Sequence, residues 1–245
     1  MINARLHLSI ALLMCSAFAI VTSAQDPQSA RDSANLPVVA TRPSVAFAFE
    51  RQGLQVPRFR MTIHDDGSAV YEGEEAPEPT RYGPPATLSL KPFQSSVRVT
   101  PATASRIFAL ARKLNRFNAA CASKAKNIAS TGIKTLSYAG PDGAGSCTYN
   151  YSEDKNVQAL TEIFEGIAET MDEGRKLDHL RRYDRLGLDS AMSFLAQEVS
   201  DGHALELGTI ADSLRSIAAD GELMERVRMR AKSLLALVPA DKEPR

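Results

Sequence analysis

The chain has 245 residues, with 29 basic and 29 acidic side chains, and 44% of it is hydrophobic. A balance this even leaves no electrostatic footprint for nucleic acid or an anionic membrane surface. Tryptophan is absent and aromatics make up 6%, which argues against aromatic cages and base-stacking platforms as the main activity.

Residues 1–24 read as a signal peptide. Arg5 precedes an apolar run from Ile10 to Val21, and Thr22-Ser23-Ala24 supplies the small residues that a signal peptidase needs. Cleavage is expected between Ala24 and Gln25. The run is short for a membrane span. Met14 stands where a small residue would precede a lipidated cysteine, so Cys15 is read as leaving with the peptide. Loss of Arg5 leaves 28 basic residues against 29 acidic ones, a net charge of −1. No later segment is apolar enough to span a bilayer. The expected location is therefore secreted or periplasmic, with no stable span after cleavage. Cys121 and Cys147 remain in a compartment where thiols oxidise, and their even number predicts a disulfide.

Residues 25–43 are polar and small, with Pro27, Pro37 and Pro43, and read as a flexible linker. Val45, Phe47 and Phe49 then alternate along Ser44–Glu50, as do Phe59, Met61 and Ile63 along Arg58–His64. Asp65-Asp66-Gly67 turns the chain into Ala69-Val70-Tyr71, a hairpin signal. Glu74–Pro85, with four prolines, reads as a surface loop. Short strands are expected at Thr87–Leu90 and Ser96–Val99. Thr100-Pro101 marks a helix start, a hydroxyl N-cap ahead of proline at the first position. Its apolar side is Ile107, Phe108, Ala111 and Leu114, and it ends near Phe117.

Lys134–Tyr138 and Cys147–Tyr151 form a second strand pair around Pro141-Asp142-Gly143. A helix from Asp154 follows, striped by Val157, Leu160, Ile163, Phe164, Ile167 and Met171. The order strand, strand, helix thus occurs twice, predicting an α+β domain over 44–171. Its antiparallel sheet comes from two ββα-like units. Beyond Asp172 the pattern is helical to residue 238. Helices are expected at Gly174–Leu186, from Asp189 as N-cap to Asp201-Gly202, at Ala204–Ala219, and at Gly221–Val238. This C-terminal helical bundle is expected to pack on the sheet domain, and residues 239–245 form a flexible tail.

Residues 45–171 resemble an uncharacterised family of bacterial secreted and lipoprotein domains. The resemblance rests on Phe59-Arg60-Met61-Thr62-Ile63-His64-Asp65-Asp66-Gly67-Ser68-Ala69-Val70-Tyr71-Glu72-Gly73, a strand, an acidic-Gly turn and a Tyr-Glu-Gly return strand. Members carry a Cys-x-x-Cys-Pro-like element before the first strand. Here Arg51–Pro57 keeps Gly53 and Pro57 but has no cysteine, which removes any function tied to those thiols. The resemblance implies no established activity.

The residues of types that carry chemistry do not converge. His64 sits beside a hairpin tip, and adjacent strand residues point to opposite faces. His179 and His203 lack the i, i+4 spacing that places two metal ligands on one helix face. Ser123-Lys124-Ala125-Lys126 fits Ser-x-x-Lys, but its Ser-Asp-Asn and Lys-Thr-Gly companions are absent. Charges around Arg175–Arg185 and Arg226–Lys232 mix signs at helical spacing, as on a solvated, ion-paired face. No catalytic, cofactor-binding or metal-binding residues are assigned, and no cofactor is expected. The favoured reading is a non-enzymatic binding or scaffolding module of the cell envelope, with a protein or small ligand as partner. The alternative is an exported hydrolase with an unrecognised site.

Overall fold

The computed structural model describes residues 42–77 and 89–239. The signal peptide with Ala24 and Gln25, most of the linker 25–43 and the tail beyond Pro239 lie outside them. Six strands form one antiparallel sheet in the order β4-β3-β2-β1-β5-β6. They are β1 (Ser44–Glu50), β2 (Arg58–His64), β3 (Ser68–Glu75), β4 (Lys91–Arg98), β5 (Ile133–Gly140) and β6 (Gly143–Tyr149). Helix α1 (Pro101–Lys113) joins β4 to β5, and α2 (Lys155–Tyr183) follows β6. The expected α+β fold with its C-terminal helices is present. The first unit is longer than the second, with four strands before its helix against two.

Period-two patterning decides which side of the sheet is buried. Val45, Phe47, Met61, Ile63, Tyr71, Leu136 and Tyr138 point inward and pack on α1 and the first half of α2. Phe47 stacks on Phe164 of α2 with ring centroids 5.3 Å apart. The inner aromatic contacts continue from Phe59 to Tyr71 at 5.4 Å and from Tyr71 to Phe93 at 5.2 Å. Such tilted and edge-on pairs contribute beyond their buried area.

Strand β4 departs from expectation. Glu74 and Glu75, read as loop, belong to β3 and pair with Pro92 and Lys91. Of the short strand expected at Thr87–Leu90, positions 87 and 88 lie outside the described residues and 89–90 are not in a strand, while β4 covers Lys91–Arg98 where Ser96–Val99 was expected. Its Pro92 is tolerated because β4 is an edge strand, where a missing N–H costs no ladder bond.

The helices differ in their boundaries. α2 is one 29-residue helix, where two helices were expected on either side of Asp172. Ile163, Ile167, Thr170, Gly174 and Leu177 keep one phase at steps of four and three, so the buried stripe runs through without a break. Asp154 caps its start, accepting from Asn156 N at 2.7 Å. α3 (Arg185–Asp201) begins five residues earlier than expected, because the Asp184 carboxylate, not that of Asp189, accepts from Gly187 N at 3.0 Å and serves as N-cap. It ends at Gly202, in the left-handed region at φ 78°. A 3₁₀ turn (Leu207–Ile210) leads into α4 (Ala211–Ala219), and α5 (Glu225–Leu235) closes the fold. The last part of α2 and α3–α5 enclose their own apolar cluster around Leu177, Leu188, Met192, Leu195, Leu214 and Ile217.

Two contacts fasten this bundle to the sheet side. The 203–210 segment lies against a small-residue stripe of α2, Gly166, Thr170 and Gly174, and Leu205 N donates to Gly166 O at 3.1 Å. A Cβ on Gly166 would sit 2.5 Å from His203 O, and one on Gly174 would sit 2.3 Å from Ile210 Cγ2. Only glycine permits this approach. Glu206 then reaches the start of α1, where its carboxylate accepts from Thr100 N and Thr100 Oγ1, both at 2.8 Å, and from Thr103 Oγ1.

Candidate functional site

The sheet face opposite α1 and α2 holds a groove of about 650 Å³. Strand alternation builds it. In-register outward residues Thr135, Ala48, Arg60, Glu72 and Gln94 cross β5, β1, β2, β3 and β4 in one row. The neighbouring row is Ile133, Glu50, Arg58, Glu74 and Pro92. Ala48 contributes only a methyl group at the centre, which leaves a depression between longer side chains. Arg58 and Glu74 form an ion pair. Arg60 and Glu72 face one another across β2 and β3, yet no ion pair joins them to each other or to another described residue. Ile133 is 56% exposed at one end, and Thr135 Oγ1 lies 2.9 Å from Thr148 Oγ1.

A smaller recess of about 420 Å³ lies beside the Cys121–Cys147 disulfide. That bridge joins the loop after α1 to β6, with Cα atoms 5.8 Å apart and the two cysteines 26 positions apart in the chain. Both cysteines are nearly buried and belong to the sheet-side core.

Two sets of ionisable groups perturbed by burial lie on the covered side. Burial pushes the Tyr71 phenol and the Asp172 carboxyl upward. Tyr71 OH donates to Asp172 Oδ1 at 2.7 Å, and Arg175 Nη1 donates to the same oxygen at 2.7 Å. The Arg175 guanidinium stacks 3.8 Å from the Phe93 ring centroid. Lys134 is 6% exposed, and burial lowers its ammonium pKa. Its Nζ donates to Thr131 Oγ1 at 3.1 Å, and Glu165 Oε1 lies 3.8 Å away. Burial also raises the Glu165 carboxyl. Both sets are spent on internal partners and do not open into the groove. They tie β3 and β5 to α2.

The residues tested on sequence are scattered. Asp66 accepts from Ser68 N at 2.9 Å and pairs with Arg42 at 2.9 Å, holding the β2–β3 turn. His179 meets Tyr183 in a tilted contact, with ring centroids 4.8 Å apart, and His203 Nδ1 lies 3.2 Å from Glu198 Oε2. Ser123 Oγ donates to Glu153 Oε1 at 3.0 Å and accepts from Ala125 N at 3.0 Å. Lys126 is exposed and makes no hydrogen bond to Ser123. Among the described residues, no group of three or more His, Cys, Asp and Glu is placed to hold a metal ion. No described helix is long and apolar enough to cross a membrane.

Compared with models of known protein families, the chain matches none, and no curated protein matches it.

The groove residues Arg60 and Glu72 went unassigned as site residues on sequence. Their signal was present in the alternation of 58–64 and 68–75, which puts Arg58, Arg60, Glu72 and Glu74 on the polar face. The lysine at 134 and the carboxylates at 172 and 206 carried no such signal, since Glu165, Tyr71 and Thr100, which they meet, are distant in the chain.

Proposed function

We propose that this chain is an exported binding or scaffolding module of the cell envelope, and that the open face of the sheet is its binding surface. The observation that carries the reading is the groove across five strands, with the opposite charges of Arg60 and Glu72, unpaired among the described residues, beside the small side chain of Ala48. A volume of about 650 Å³ is in the range of sites that enclose a compact ligand or a short segment of a partner. The disulfide suits an oxidising compartment, and the signal peptide read at residues 1–24 supplies the route. The likeness of residues 45–171 to bacterial secreted and lipoprotein domains belongs to the same reading.

The test is to fill the groove. Ala48→Trp places a large ring at its centre without touching the covered face. Envelope fractions crosslinked to the wild-type chain are expected to give a discrete adduct that Ala48→Trp loses, while both proteins melt alike. The same adducts from both proteins, or hydrolase turnover in place of any adduct, would overturn the reading.

A further inference from the structure

We infer that the groove takes an extended polypeptide segment of a partner in which an apolar, an acidic and a basic residue alternate in that order. The apolar residue lies at Ile133, the acidic one over Arg60 and the basic one over Glu72. This rests on the open sheet face being the binding surface.

The charges come first. Arg60 and Glu72 are in direct register on neighbouring strands, and both are exposed. Opposite charges so placed ordinarily join. The pair beside them does so, with Arg58 on Glu74. Arg60 and Glu72 both line the groove, and among the described residues neither has an ion-pair partner. An occupant carrying only an anion meets Glu72 as a like charge. One carrying only a cation meets Arg60. An occupant with both signs satisfies the two groups together.

Spacing favours an extended chain as the carrier. Neighbouring strands lie about 4.8 Å apart, so five strands span about 19 Å, roughly the length of six extended residues. Side chains two positions apart in such a chain point the same way, about 6.8 Å from each other. Flexible Arg and Glu side chains on adjacent strands cover that distance. Ala48 and Thr135 are small or short, which lets a backbone approach the floor. Exposed Ile133 at the β5 end offers the apolar contact, while Gln94 at the β4 end offers a polar one. The order of the sheet, β5, β1, β2, β3, β4, thus sets the order of the occupant, apolar, acidic, basic, whichever way its chain runs.

Two capped hexapeptides test this by fluorescence anisotropy against the full chain. One reads Ser-Leu-Ser-Glu-Ser-Lys and the other Ser-Leu-Ser-Lys-Ser-Glu. The wild type is expected to bind the first about fivefold more tightly, the scale of a partly exposed ion pair. The doubly reversed variant Arg60→Glu with Glu72→Arg is expected to prefer the second. Both substitutions are on exposed positions, and unchanged thermal melts show that the variant is folded. Equal binding of the two peptides, no binding of either, or a preference that the double reversal leaves unchanged overturns the inference. If such a result comes with an envelope adduct that Ala48→Trp still removes, the groove stands as a binding surface with a different occupant. If that adduct is absent too, both readings fall.

Discussion

Glu206 Oε2 accepts a hydrogen bond from Thr100 N at 2.8 Å, joining positions 106 residues apart. The bond places a carboxylate from the C-terminal helices at the positive end of α1. There it satisfies donors that the helix cannot satisfy itself. Glu206 holds this position with a left-handed backbone, φ 58°, which a non-glycine residue adopts at a cost. Glu206→Ala is expected to destabilise the protein by about 1–3 kcal/mol, the range for leaving half-buried donors without their acceptor. Thr100→Ala loses the cap as well. Urea unfolding of both single variants and the double one should give less than the sum of the single losses, because they share one interaction. Full additivity would mean that the contact carries no energy.

The small-residue stripe on α2 makes a prediction of sign. In an exposed helix, Gly→Ala stabilises by about 1 kcal/mol. At Gly166 the new Cβ would lie 2.5 Å from His203 O, a backbone atom. Gly166→Ala is therefore expected to destabilise, and Gly166→Val to do so further. Denaturant midpoints measure this directly. A stabilised Gly166→Ala protein would show that the 203–206 segment does not lie on α2.

The disulfide closes a loop of 26 positions, for which the chain-entropy account gives about 3.5 kcal/mol. Replacing Cys121 and Cys147 together by Ala should cost about that much, less whatever the loop recovers through Thr131 and Asn150, whose bond measures 2.7 Å. Thiol titration of the chain lacking residues 1–24 should find none before reductant is added and two afterwards.

Asp142 sets a pH dependence. Its carboxylate accepts from Tyr138 OH at 2.5 Å and from Arg116 Nη2 at 2.7 Å. These bonds hold its pKa below the ordinary 3.8. A carboxyl whose folded pKa is depressed stabilises above its unfolded pKa, and that contribution is lost as pH falls through the folded value. Asp142→Asn should thus be less stable than wild type at neutral pH, with a gap that narrows below about pH 4. Urea midpoints at a series of pH values give the profile, and a gap that widens in acid would contradict the assignment.

How far these features were legible in the sequence follows from how local their causes are. The alternation of Val45, Phe47 and Phe49 announces β1 because each residue's neighbours alone set its face. The Thr100-Pro101 start and the Asp154 cap are equally local. β4 was shifted because Pro92, Gln94, Ser95 and Ser96 carry little strand propensity. The pairing partner β3 and the edge position make it a strand. The break expected near Asp172 falls between the stripe ending at Met171 and a helix starting at Gly174. Gly174 is there to admit Ile210, a contact no window of sequence contains. Asp189 resembles an N-cap, but Asp184 does the capping, while Asp189 receives Arg226 at 2.9 Å and Arg230 at 3.0 Å from α5. The polar face holding Arg60 and Glu72 was readable from period two. That it is a groove depends on which strands lie beside it.

The binding surface is open to one direct measurement. A photocrosslinking amino acid is placed at Gln94, exposed at the groove's edge, and separately at Lys232, exposed on α5. Both proteins are irradiated in intact envelopes. A discrete adduct from position 94, absent from position 232 and lost when Ala48→Trp is added, is the expected result. Adducts alike from both positions, or none from position 94, would contradict the assignment of the open sheet face as the site.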